Sequence, residues 1–276
     1  MLKIFEYGKI SDDLKSEILD IINLVLSKSD RKTPYIEVLL FEKLNDLKDF
    51  IYREASELGL HQSAIQNIYF AMHDAYRGWP RILICLELLN KLPNEVWRGG
   101  IQHEVGHAIL HGSLEYYLFS LPKNLADLCY KFNMESFQCF NLLYFISVAV
   151  KDYEVSKYLI KLNFTRDQYP FIKYNLHLDE EEIMYWNILA DEASRIIYTF
   201  LIYKTISASI PFLEIDEYRE SINELIEDMI EILDDRYRSL IYLLINMFRD
   251  FDIDTRNNIY HVANELNKLL EEAGIT

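Results

Sequence analysis

Gly99-Gly100-Ile101-Gln102-His103-Glu104-Val105-Gly106-His107-Ala108-Ile109-Leu110 is the stretch on which the reading of the chain turns. Histidines four residues apart on a helix lie one turn apart on the same face, where both imidazoles reach one zinc ion. The glutamate between them points into the same space. A five-residue pattern with three fixed letters also arises by chance, so its surroundings matter. Val105 and Gly106 inside the motif, and Ile101, Gln102, Ala108, Ile109 and Leu110 around it, are all uncharged, as the floor of a cleft requires. A buried helix carrying His103, Glu104, His107 and His111 is costly unless those groups have partners. Pro93-Asn94 and Gly99-Gly100 predict a turn before the helix, and His111-Gly112-Ser113 predicts a stop after it.

Upstream, Ser11-Asp12-Asp13 caps a helix whose apolar positions Leu14, Ile18, Ile21, Ile22 and Val25 keep helical spacing. Residues 29–34 break it. Tyr35–Phe41 then reads as a strand, and Lys43–Leu58 as a helix that ends at Gly59. Two more extended runs, Ile68–Met72 and Arg81–Leu86, flank the turn-rich Tyr76-Arg77-Gly78-Trp79-Pro80. Arg81–Leu86, with Pro80 just before it, is a candidate edge strand for a bound peptide. From Leu114 onward Gly and Pro become scarce, and helical periodicity runs through 123–150, 152–162, 180–208, 215–233, 235–249 and 255–273. The expected fold class is α+β: a small N-terminal sheet with the motif helix, then a mostly helical C-terminal half. The expected subdomains are 1–115, ending in the motif helix, and 116–276.

The chain has 276 residues and half of them are hydrophobic, with 20 Tyr and 15 Phe, which is ample for a sizeable core. Its formal charge of −16 repels phosphate backbones and anionic membranes, so no nucleic acid partner is expected. Cys85, Cys129 and Cys139 form no CxxC pair and are odd in number, which suits a reducing cytoplasm. The N-terminus lacks the pattern of a signal peptide. The longest apolar runs, Phe137–Val150 and Ile206–Leu213, fall short of the ~20 residues of a membrane span.

The order of parts over residues 35–160, with the HExxH signature as its specific element, resembles a zincin metallopeptidase. The resemblance implies a zincin-like catalytic core, a zinc ion held by His103 and His107, and Glu104 as the general base that activates a water for peptide-bond hydrolysis. Its expected partner is a peptide or protein substrate. The third ligand divides the zincins. A metzincin carries histidine six residues after the second one, where this chain has Ser113. His111 lies eight residues from His103, ~12 Å along a straight helix, too far to share a metal bound at ~2 Å; it is read as a supporting or capping residue. There remains the gluzincin scheme, with a later carboxylate.

Glu154 leads, because its charge follows abruptly on the apolar stretch Val148-Ala149-Val150, although Tyr158 stands where gluzincins carry an aspartate. Glu192, Asp191, Asp152 and Glu135 remain candidates, while Glu115 follows the motif too closely. Tyr116, Tyr117, Tyr153 and His177 are candidates by type to assist the oxyanion. Two other readings stand beside this one. A helix-turn-helix-like spacing in Ala55–Ile65 touches on a selective processing peptidase. A non-enzymatic alternative is a helical interaction or regulatory protein, with stripes such as Ile222, Leu225, Ile226 and Met229 for docking and a structural or vestigial zinc site. Oligomeric state is open.

Overall fold

A computed structural model describes residues 1–32, 35–59, 68–178 and 180–276. The chain divides into two compact units, one of Met1–Leu118 with Tyr158–Phe171, the other of Phe119–Lys157 with Ile172–Thr276. The sequence places a single boundary at 115, whereas here the segment Tyr158–Phe171 returns to the first unit.

The first unit holds a four-stranded sheet: β1 (Leu2–Tyr7), β2 (Ile36–Phe41), β3 (Ala71–Asp74) and β4 (Arg81–Cys85), in the order β1-β2-β4-β3. β1 and β2 pair in parallel, as do β2 and β4, while β3 runs antiparallel to β4. All five residues of β4 are buried, as expected of a strand with a neighbour on each side. Arg81–Cys85 is therefore an interior strand, which corrects the edge-strand expectation. The edges are β1 and β3; β3 begins three residues later than the Ile68–Met72 run suggested, and its antiparallel register sets Asp74 opposite Arg81. That pair forms the centre of an ion network. Arg81 is buried and donates through Nε and Nη2 to Asp74 and through Nη1 to Glu54, which also accepts from Arg77. Burial pushes the Asp74 carboxyl up, and Arg81 opposes that shift.

α1 (Asp12–Lys28) starts where Ser11 accepts a hydrogen bond from the Leu14 amide, and it buries Ile18, Ile21, Ile22 and Val25, as the spacing predicts. α2 (Leu44–Leu58) ends on Gly59 in the left-handed conformation at φ 66°. The part of the helix-turn-helix-like segment beyond Gly59 lies outside the described residues. A short helix, α3 (Leu86–Leu89), leads to α4 (Asn94–Leu110), which carries the HExxH motif and packs against α1, β3 and β4.

Gly99 and Gly100 lie inside α4, not in a turn ahead of it. The reason is close approach. A Cβ on Gly99 would stand 2.6 Å from the Asp167 carbonyl oxygen, and one on Gly100 would stand 2.2 Å from the Phe70 ring. Two interior glycines cost α4 about 2 kcal/mol of helix propensity, which this contact offsets.

The second unit is helical: α5 (Lys123–Lys131), most of α6 (Ser136–Lys161), the end of α7 (Thr165–Asn175), α8 (Glu180–Ile188), α9 (Glu192–Ser207), α10 (Asp216–Ile230), α11 (Asp235–Met247) and α12 (Thr255–Glu272). α6 runs unbroken through Lys151-Asp152, where the sequence suggests two helices. α7 contains Pro170 and was not expected as a helix. Among the described residues, no helix is long and apolar enough to cross a membrane. The turn between α5 and α6 brings Cys129 and Cys139 to 6.0 Å between Cα atoms, and they are paired as a disulfide. Cys85 remains a free, buried thiol. With an odd number of cysteines one had to stay unbridged, and it is Cys85.

Candidate metal centre

α4 is held rigidly where the motif begins. Gln102, 1 % exposed, donates through Nε2 to Asp167 Oδ2 at 2.9 Å. Gln168 donates through its own Nε2 to the Gly99 carbonyl at 2.8 Å and to Gln102 Oε1 at 3.0 Å. Arg98 reaches Glu17 on α1 at 2.9 Å. These contacts tie α4 to α1 and to the first half of α7, so the next turn of the helix presents its side chains from a fixed base.

That turn brings the Nε2 atoms of His103 and His107 to 3.2 Å from each other. Two nitrogens bound to one zinc at ~2.0–2.1 Å in tetrahedral geometry lie about 3.3 Å apart. The pair therefore has the spacing of a zinc-ligand pair, and the donor chemistry, two neutral imidazole nitrogens, suits that metal. His103 is 4 % exposed, while His107 and Glu104 are half-buried.

His111 is fully buried, just past the last residue of α4, and its amide donates to the His107 carbonyl at 2.7 Å. Its Nδ1 sits 3.2 Å from His107 Nδ1. A proton on His107 Nδ1 shared with His111 leaves the His107 Nε2 lone pair free for a metal and fixes the ring's orientation. The supporting role expected of His111 fits this geometry.

A further histidine joins from the sheet. His73, on β3, stacks its ring on His107 with centroids 5.8 Å apart, and its Nδ1 meets the Tyr117 hydroxyl at 2.6 Å. Tyr76 packs edge-on against Tyr117 at 5.1 Å. Sequence reasoning named Tyr117 only by type and missed His73 altogether. Nothing near His73 in the chain signals it; antiparallel pairing of β3 with β4 puts it here. Tyr116 packs edge-on against His111 at 5.2 Å.

The remaining candidates have other occupations. Glu154 on α6 accepts from Thr255 Oγ1 at 2.7 Å and from Asn258 Nδ2 at 2.9 Å. The buried-charge argument for Glu154 thus has an answer in these two neutral donors. Glu192 accepts from Arg236, at 2.6 Å, and from the Tyr237 hydroxyl. Asp191 caps α9 through the Ser194 amide and hydroxyl, both at 2.8 Å. Glu135 is exposed at the start of α6, and Glu115 is exposed and accepts from Ser113 at 3.0 Å. Tyr153 is buried and stacked on Phe248 at 4.3 Å, while His177 is exposed. Asp152 is half-buried on α6, next to Lys151, whose ammonium is pushed down to about 8 by burial, with Asp152 and Glu154 opposing that shift.

No protein-family model matches the chain, and no curated protein or solved structure is significantly similar to it.

Proposed function

We propose that the chain is a zinc metallopeptidase in which His103 and His107, with a carboxylate as third ligand, hold the metal and Glu104 is the general base. The observation that carries this reading is the 3.2 Å approach of the two Nε2 atoms on a helix anchored through Gln102.

One point favours Asp152 over Glu154 as third ligand. Residues two apart on a helix lie about 200° apart around its axis, so Asp152 faces almost opposite to Glu154, which is turned toward Thr255 and Asn258.

When bound, zinc supplies a Lewis acid that polarises a carbonyl oxygen and brings the pKa of a water ligand to about 7. Glu104 accepts the proton released as the nucleophile forms and returns it to the leaving amine nitrogen. His111 keeps His107 in the tautomer and orientation that ligation needs. Tyr117, held by His73 beside His107, donates a hydrogen bond to the oxyanion.

The deciding measurement is zinc content by elemental mass spectrometry on the wild type, Asp152→Ala and Glu154→Ala. About one zinc per chain is expected in the wild type and in Glu154→Ala, and close to none in Asp152→Ala. Loss in Glu154→Ala instead would restore that residue as the ligand. A zinc-free wild type after reconstitution would sink the site.

A further inference from the structure

β3 has little of its own to hold its register. It is four residues long, it lies at an edge of the sheet, and residues 75–80 join it to β4. A connection of that length does not set the pairing as a two-residue hairpin turn does. Yet the register decides which side chains reach the candidate site. His73 faces α4, where its ring stacks on His107. Its neighbours in the strand face α2: Met72 packs on the cluster that contains Leu47 and Phe50, and Asp74 meets Arg81, whose guanidinium lies 5.7 Å from the Phe50 ring. A slip of one residue would turn His73 to the α2 side, and a slip of two would carry it about 7 Å along the strand.

One contact resists both slips. Asp74 stands opposite Arg81 in the ladder, and the two form a forked ion pair, Nε to Oδ1 at 2.9 Å and Nη2 to Oδ2 at 3.0 Å. Arg81 is itself anchored, because its Nη1 donates to Glu54 of α2 at 2.7 Å, and Glu54 also accepts from Arg77 in the connection. A planar guanidinium set on a carboxylate fixes orientation as well as distance. Asp74 holds the chain beyond it too, since the Tyr76 amide donates to its Oδ1 at 3.2 Å. Tyr117 is therefore flanked by residues on both sides of Asp74. His73 Nδ1 lies 2.6 Å from its hydroxyl, and Tyr76 packs edge-on against its ring at 5.1 Å.

We propose that Arg81 is a positioning residue for the candidate site: through Asp74 it locks β3 in register, and the lock keeps His73 and Tyr76 against Tyr117. The consequence for hydrolysis rests on the metallopeptidase reading, whereas the lock itself does not.

The test is read first at His73, without any substrate. In long-range proton–nitrogen correlation spectra of the full chain, the His73 ring nitrogens are assigned by their absence in His73→Gln. Tyr117→Phe is expected to move the Nδ1 resonance, and Arg81→Met to move it in the same direction while keeping the circular dichroism of the wild type. Arg98→Met, which breaks an ion pair with Glu17 in the same unit, should leave it in place. Removing one partner of a buried pair can unfold a protein, so Asp74→Asn, which removes the charge and keeps the shape, is run beside it. A resonance unchanged in folded Arg81→Met, or in Asp74→Asn should Arg81→Met not fold, would overturn the proposal. The second reading is the rate at which the zinc-loaded protein hydrolyses fluorescein-labelled casein. Arg81→Met is expected to lower that rate about 10–100-fold with zinc content unchanged, and to lower it no further in a Tyr117→Phe background. An equal loss in both backgrounds would make Arg81 a structural residue alone and overturn the proposal. If the wild type leaves casein intact while the His73 resonance behaves as expected, the metallopeptidase reading fails and the lock stands.

Discussion

On α4, two imidazole nitrogens approach to 3.2 Å; on α6, a half-buried glutamate accepts from one hydroxyl and one amide. Both helices carry polar groups among apolar ones, yet their local chemistry differs. Glu154 is an acceptor answered by donors, which satisfies a buried carboxylate without a metal. His103 and His107 point two like groups at one spot, and only one of the facing nitrogens can carry the proton between them. A cation that both can ligate resolves that contact better than one hydrogen bond does. The comparison teaches that burial of a charged or polar residue is weak evidence for ligation until its donors and acceptors have been matched.

The largest expected effect tests the α4 side directly. Glu104→Gln should lower peptide hydrolysis by about 10²–10⁴-fold while leaving zinc content at about one per chain; full activity would remove the general-base role. His111→Ala should weaken zinc affinity by about 10–100-fold, read by competition with a fluorescent chelator. An unchanged affinity would show that the Nδ1–Nδ1 contact does nothing for the metal. On the α6 side, Thr255→Val strips one donor from Glu154 and should cost about 1–3 kcal/mol in chemical denaturation, with no change in zinc. Loss of zinc in that variant would break the contrast, because it would make Glu154 and its partners part of the metal site.

Much of the first unit was legible because its signals are local. Ser11, Gly59 and the spacing of Ile18, Ile21, Ile22 and Val25 each act within a turn or two of their own position, and the HExxH helix is where the pattern put it. What was missed depends on pairing across the chain. β1 gives a weak signal, since most of its residues are exposed or half-exposed, and it becomes a strand by pairing in parallel with β2. No run of residues reveals that β4 lies between β2 and β3, so the edge was assigned to the wrong strand. His73 entered the site for the same reason.

In the helical half, Lys151-Asp152 read as an interruption because charges usually end buried helices, whereas α6 continues for two more turns. Asp152 was consequently weighed as one candidate among several. Its place on the face opposite Glu154 needs the helix to be continuous, and this was not visible from composition. The Cys129–Cys139 pair was missed because nine intervening residues do not announce a turn that folds α5 back onto α6.

The two glycines inside α4 have a bearing on how the protein tolerates change. Neither touches the histidines, yet a methyl group at either position would overlap Asp167, Phe171 or Phe70. In a saturation survey of α4, Gly99 and Gly100 should be as intolerant as His103 and His107, and the two classes will part only when variants are sorted by abundance as well as by activity. Intolerant positions on this helix therefore form two sets: one that lets the helix fit where it is, and one that gives it something to do there.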